Sequence, residues 1–321
     1  MGKLACVFPG QGSQSVGMGL ALFNEESTAK AMFEKIDHIA GRSLSKLCFE
    51  GPEAELKRTI NTQPTILATS LAAWAAYEAA GGPKPDFVAG HSLGEITALC
   101  VSGVLSLDDT VKLVEKRASL MEDCPKGAMA AVLGMDCEKL EAVCKEVSDA
   151  LLAQGKTGTD HVVLVANFNT RDQLVISGNP DAVQKACALV KERGGKAIPL
   201  PVGGAFHSPL MTPAATEFAT TLKTCHFGNA NYPVVQNFDA LASSEPDVLK
   251  QKLGRQMESA VRWTATIEFM AAQGVDTIVE IGPGKVLTGL VKKIDRNVKI
   301  FNVSDKATLT ETLNALRSVA V

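Results

Sequence analysis

Gly90-His91-Ser92-Leu93-Gly94 fits the pattern G-x-S-x-G. When a strand runs into such a segment and a helix follows at once, the chain must turn sharply at the serine. Side chains two positions to either side would then collide, so glycine is needed at both. The turn exposes the hydroxyl at the carboxyl edge of a sheet. It also puts the Leu93 N–H at a helix N-terminus, where it can stabilise an oxyanion. The chemistry this offers is attack by a serine oxygen on an acyl carbon. The plainer alternative is a glycine-serine turn with a serine cap.

Such an attack needs a base, and the chain has five histidines, His38, His91, His161, His207 and His226. His91 adjoins the serine and its side chain should point elsewhere. His38 falls in a surface helix, His161 opens a strand and His226 sits in an unmarked stretch. His207 lies in Gly203-Gly204-Ala205-Phe206-His207-Ser208-Pro209, a strand-end loop before a helix. Site residues gather in such loops. No acid stands out as a third member, but a backbone carbonyl can hold the Nδ1 proton equally well.

Arg117 carries the information about substrate. Leu107, Val111, Val114, Ala118 and Met121 form the apolar stripe of a helix at 107–122, and Arg117 sits at its edge. A guanidinium among apolar neighbours needs an anionic partner, unless its head snorkels out or meets a protein carboxylate. Its forked donors suit a carboxylate-bearing acyl group. Gly10-Gln11-Gly12-Ser13-Gln14 lacks the third glycine of a dinucleotide loop, but its glycines let backbone approach a ligand, and Gln11 can offer a second oxyanion donor. Gly282-Pro283-Gly284-Lys285 is a tight turn into a helix rather than a phosphate loop.

These residues need a scaffold. Short apolar runs alternate with helical patterns, which predicts an α/β fold. Strands are expected at 4–8, 86–90, 276–281 and 298–303, and near 233–238. Helices are expected at 64–80, 92–102, 107–122, near 245–257 and 263–273, and from 284 and 306. Ser106 and Asp109 have capping-box spacing. Residues 127–201 read β-α-β-β-α-β: MAAVLG, a helix at 136–153, HVVLVANF, QLVISG, a helix at 180–193 and KAIPLPV. That is the ferredoxin-like order. The expected architecture is a parallel-sheet domain of residues 1–126 and 202–321 with a ferredoxin-like subdomain inserted at 127–201.

Composition limits the alternatives. The chain has 321 residues, 46% hydrophobic and 21% charged, with net charge −3. Such a balance argues against broad nucleic-acid or anionic-membrane binding. There is no apolar run long enough to span a membrane, and MGKLACVFPG lacks a signal-peptide apolar region. The eight cysteines show no metal-ligand or C-x-x-C spacing and read as free thiols in a reducing compartment.

Taken together, the ordered segments are familiar. The chain resembles the malonyl-CoA:acyl carrier protein transacylases of fatty acid synthesis over essentially its whole length. The matching segments are Phe8-Pro9-Gly10-Gln11-Gly12-Ser13-Gln14, Gly90-His91-Ser92-Leu93-Gly94-Glu95, Arg117, Ala205-Phe206-His207-Ser208, Arg255-Gln256 and Glu280-Ile281-Gly282-Pro283-Gly284-Lys285-Val286-Leu287. The resemblance implies an α/β-hydrolase-like domain with the ferredoxin-like insert. It implies Ser92 as acyl carrier, His207 as base then acid, Gln11 and Leu93 as oxyanion donors, and Arg117 as holder of the malonyl carboxylate. It further implies that the Gln256 carbonyl orients His207 and that Phe206 narrows the pocket toward malonyl. The substrates would be malonyl-CoA and acyl carrier protein, with no metal or bound cofactor. A monomer in the cytoplasm or plastid stroma is expected, with Lys285, Lys292 and Lys293 as candidate contacts for an acidic carrier. A serine esterase or thioesterase, a polyketide-pathway acyltransferase and a non-catalytic carrier-binding module remain open alternatives.

Overall fold

The computed structural model describes residues 2–319. Ten strands are present: β1 Lys3–Phe8, β2 Phe87–Gly90, β3 Ala128–Leu133, β4 Val163–Thr170, β5 Gln173–Gly178, β6 Lys196–Pro199, β7 Val234–Val235, β8 Ala242–Ser243, β9 Val275–Ile281 and β10 Lys299–Val303. Six form one sheet in the order β10-β9-β1-β2-β7-β8, parallel except for the β7–β8 edge pair. The other four form an antiparallel sheet ordered β4-β5-β3-β6.

The run LACVF explains the place of β1. In a parallel sheet covered on both faces, every side chain of a central strand is buried. Cys6 and Phe8 enter one apolar core with Leu67, Leu71 and Ile96, whereas Ala5 and Val7 enter a second core with Trp263, Ile267 and Leu290. The sheet is thus a middle layer, with the β1 and β2 carboxyl ends left open for loops.

The helix expected at 64–80 begins earlier, at Thr59, and carries Pro64 inside it. Proline lacks the N–H that would bond the Ile60 carbonyl. Arg42 Nη2 donates to that carbonyl instead at 3.0 Å, so the helix continues. Ser106 Oγ accepts from the Asp109 N–H at 3.0 Å and starts the helix Leu107–Glu122, as the sequence predicts. The strand expected near 233–238 shrinks to Val234–Val235, because the next residues, Gln236 and Asn237, turn to buried polar partners at the site. The strand read at 161–168 is displaced to Val163–Thr170, leaving His161 in the turn ahead of it.

Between 128 and 199 the order β-α-β-β-α-β is observed, with helices Cys137–Ala153 and Pro180–Glu192. Strand alternation divides the two faces of this small sheet. Ala130, Val132, Leu174 and Ile176 pack under the helices, whereas Met129, Ala131 and Val175 face a cavity shared with the large sheet. A short stitch ties β4 to the segment ahead of the helix Trp263–Ala272: Val261 N–H donates to Ala166 O at 2.8 Å, and Phe168 N–H donates to Val261 O at 2.9 Å. All eight cysteines are free. No helix among the described residues is long and apolar enough to cross a membrane.

Candidate active site

Parallel β2 ends at Gly90 and the helix Leu93–Val101 begins three residues later, so the reversal falls on Ser92. Ser92 has φ 51° and ψ −106°, a conformation L-residues avoid. A Cβ on Gly90 would stand 1.9 Å from the Gly94 carbonyl carbon, and one on Gly94 would stand 2.0 Å from Phe8 O. Both glycines are therefore required by close backbone approach. The strained turn is held from outside. Asn237 Oδ1 accepts from Ser92 N–H at 2.8 Å, and Asn237 Nδ2 donates to Gly90 O at 2.7 Å. The buried Glu95 carboxylate accepts from the Asn237 N–H at 2.6 Å and fixes that clamp.

His207 also has positive φ, 59°, and is 4% exposed. Its Nδ1 faces the carbonyls of Gln256 (3.0 Å) and Ser259 (3.1 Å), so the ring proton resides on Nδ1. Its Nε2 is then the acceptor for the Ser92 hydroxyl, 2.8 Å away. Burial, and next the Arg117 charge, lower the imidazole to about 3 against the pull of the two carbonyls. At neutral pH the ring is neutral and ready to take a proton.

Arg117 reaches the same serine from the helix Leu107–Glu122. Its guanidinium is 1% exposed. Nη1 donates to Gln63 Oε1 at 2.6 Å, and Nη2 donates to Ser92 Oγ and Gln256 Oε1, both at 3.0 Å. Nε has no partner, and no carboxylate among the described residues lies within ion-pair distance. Burial pulls this arginine down to about 10, with Glu95 acting in the opposite direction. A buried guanidinium with no carboxylate in contact and a spare donor is a receptor for an anionic group.

Gln11, Ser92, Leu93, Arg117, Phe206 and His207 all line one cavity of about 240 Å³, whose far wall is the small sheet. The Gln11 and Leu93 N–H groups have no acceptor among the described residues. Gln256 sits behind the cavity, and both ends of its side chain are used: Nε2 donates to Ser92 O at 2.9 Å, and Oε1 accepts from Arg117. His91 also lines the cavity, but its Nε2 pairs with Asn169 Oδ1 at 2.8 Å. His38 lies on a separate helix, Ser27–Ala40.

The acyl transferase domain family matches residues 5–310. The malonyl CoA-acyl carrier protein transacylase of Bacillus subtilis is 44% identical over 321 residues, covering 99% of this chain and 98% of that protein. The chain belongs to this transacylase family. The acyl-carrier-protein S-malonyltransferase of Burkholderia pseudomallei superposes with a TM-score of 0.92 at 41% identity, covering 97% and 99% of the two chains. A malonyl-transacylase solved in complex with a type II polyketide acyl carrier protein superposes at 0.91 with 40% identity, covering 98% and 99%.

Four contributions in this family member have no sequence signal of their own. Asn237 clamps the elbow from 145 residues away, Gln63 holds Arg117 from the second turn of a buried helix, and Asn169 restrains His91. The fourth is the Gln256 side chain. The Gly282–Lys285 turn leads into the helix Val286–Ile294, whose Lys292 and Lys293 are exposed. Lys293 Nζ donates to Gln173 Oε1 at 3.2 Å, and Gln173 lines the cavity, which puts this lysine at its rim.

Proposed function

We propose that this chain moves a malonyl group from malonyl-CoA to the phosphopantetheine thiol of an acyl carrier protein through a malonyl-Ser92 intermediate. The observation that carries the reading is the convergence on Ser92 Oγ of His207 Nε2 and of Nη2 from an Arg117 that has no carboxylate in contact. His207 takes the hydroxyl proton as Ser92 Oγ bonds to the thioester carbon. The oxyanion is held by the Gln11 and Leu93 N–H groups, each donor of this kind being worth ~10²–10³ in rate. The protonated imidazole, oriented by the Gln256 carbonyl, then gives its proton to the departing CoA sulfur. The carrier thiol attacks in turn, which makes the kinetics ping-pong. Arg117 holds the free carboxylate of the acyl group, and Phe206 closes the wall beside it.

No cofactor is called for. The topology between 128 and 199 supports the ferredoxin-like description of an insert at 127–201, and the elbow after β2 supports the α/β-hydrolase-like description of the rest. Lys293 at the rim, with Lys292 and Lys285 nearby in sequence, supports docking of an acidic carrier on that helix. A monomer in the cytoplasm fits a chain that completes its own site. Likeness to the polyketide complex also makes a polyketide carrier a candidate acceptor.

Intact-mass measurement after malonyl-CoA and after acetyl-CoA tests the covalent step and acyl choice together. A malonyl adduct is expected on the wild type and none on Ser92→Ala. Arg117→Ala should lose malonyl loading far more than acetyl loading. A labelled Ser92→Ala protein would place the nucleophile elsewhere. Steady CoA release without a carrier would mark a hydrolase.

A further inference from the structure

Arg117 spends a donor on the nucleophile itself: Nη2 is 3.0 Å from Ser92 Oγ, which also lies 2.8 Å from His207 Nε2. Its remaining acceptors, Gln63 Oε1 and Gln256 Oε1, are neutral dipoles, and Nε has none. The charge is therefore buried and touches no carboxylate, since Glu95 acts on it only from a distance while bound to Gln236 and Asn237, and it bears directly on the reacting oxygen. Resting on the malonyl-transfer reading above, we propose that Arg117 is a latch on Ser92: the carboxylate of the incoming acyl group draws Nη2 off Ser92 Oγ, so the acyl group's charge sets the speed of serine attack as well as the strength of binding.

Three physical points support this. An oxygen accepting a hydrogen bond from a cation has its lone-pair density drawn toward that cation, and attack on carbon requires that density. Proton transfer from Ser92 to His207 creates an imidazolium one side chain away from the guanidinium. Two like charges at such range in a buried site oppose each other strongly. A carboxylate bound in the fork neutralises one of them, and it supplies the strong bidentate partner that the amide dipoles do not. The Arg117 charge already stands second to burial among the causes that keep His207 deprotonated, ahead of His91. The other ionisable side chains around this histidine, Glu141, Lys145, Glu258 and Arg262, lie in an open groove on its far side, where solvent screens them.

The chemical step is unchanged in its bookkeeping. The Ser92 Oγ–carbon bond forms and the carbon–sulfur bond breaks. The hydroxyl proton passes through His207 Nε2 to the departing sulfur. What the latch changes is the barrier, and it does so only for acyl groups carrying an anion. Discrimination against acetyl would then appear in the limiting rate of acylation and not in affinity alone.

Rapid-quench intact mass can measure the limiting rate of Ser92 acylation at saturating malonyl-CoA, acetyl-CoA and the neutral amide isostere, malonamoyl-CoA. The latch predicts a limiting rate at least tenfold lower for both neutral donors. Sodium formate added to the acetyl-CoA reaction should raise that rate several-fold and saturably, because the free carboxylate occupies the arginine. Formamide should not. Competition of formate against malonyl loading reports occupancy of the site. Equal limiting rates for all three donors, or occupancy by formate without faster acetylation, overturn the latch. So would failure of formate to compete, or a formate response that survives in Arg117→Gln. Failure of malonyl-CoA to label Ser92 at all would instead overturn the transfer reading.

Discussion

Two corners of the large sheet are built from the same parts and end in opposite states. At each, a parallel strand runs through a glycine-rich turn into a nine-residue helix: β2 through Gly90–Gly94 into Leu93–Val101, and β9 through Gly282–Gly284 into Val286–Ile294. At the second corner the buried Glu280 carboxylate folds back over the helix start. It accepts from Leu287 N–H (3.0 Å), Thr288 N–H (2.7 Å) and Thr288 Oγ1 (2.6 Å). At the first corner the acid Glu95 lies in the first turn of the helix but turns away to Asn237, leaving the Leu93 N–H free. A helix N-terminus attracts negative charge wherever it occurs. If the protein supplies that charge, the corner is structure; if it withholds it, the corner is a reagent.

The largest effect should come from filling the open corner. Gly94→Ala puts a methyl 2.0 Å from Phe8 O, so the elbow or the central strand must move. The expected outcome is a protein that is insoluble or more than ~4 kcal/mol less stable by denaturant unfolding, as steric changes of this severity are. A well-folded, fully acylating Gly94→Ala would remove the steric account. Next, Asn237→Ala removes the acceptor of Ser92 N–H and the donor to Gly90 O. Each 1.4 kcal/mol of lost positioning is about tenfold in rate, so single-turnover acylation should slow by about tenfold or more. The closed corner should answer in the other currency. Glu280→Ala leaves three donors uncapped and should lower stability by about 1–3 kcal/mol while saturating acylation stays within about twofold. A large rate loss in that variant would erase the distinction between the corners.

The smallest effect is in the pH dependence, and His207 and Glu280 should differ in sign. His207 is lowered to about 3, so between there and the ordinary imidazole value the unfolded chain binds more protons than the folded one. Its contribution to stability rises with pH across that window, with a slope of at most ~1.4 kcal/mol per pH unit. Glu280 is pushed upward, by burial first. The folded protein then holds the extra proton above the usual carboxylate range, and that contribution falls as pH rises. Glu95 is raised for the same reason and shares the sign. Unfolding free energies from pH 3 to 7 for His207→Gln should show a shallower rise than the wild type, and those for Glu280→Gln a steeper one. Identical profiles would mean that neither group titrates with folding.

The corners also show what was legible. Ser92, the glycines around it and the Ser106–Asp109 cap are local, and a short sequence window contains every atom that makes them necessary. Arg117 was legible as a misplaced charge on an apolar stripe. The β-α-β-β-α-β order was legible because strand and helix periods differ. Asn237, Gln63 and Asn169 were not, because each acts across a fold that brings distant segments together, and an asparagine at a strand end looks like any other turn residue. The strand expected at 233–238 shortens for the same reason: Gln236 and Asn237 fit a strand pattern in the sequence, but their partners lie at the elbow. The helices Leu20–Glu25, Leu44–Glu50 and Glu53–Leu56 are too short to show a period in the sequence, and of Ser27–Ala40 only a surface helix at His38 is legible.

The stitch of Val261 to Ala166 and Phe168 bears on how such enzymes can be re-engineered. The same few residues that pair with β4 also present the Ser259 carbonyl to His207, and β4 carries the Asn169 that restrains His91. The small sheet is thus not an interchangeable cap. Grafting residues 128–199 from a relative with another acyl preference would replace the wall of the pocket and, in the same operation, the strand that anchors the segment orienting the base. A chimaera should keep its activity only if the donor segment preserves the register of that two-bond seam, whatever side chains it brings to the cavity.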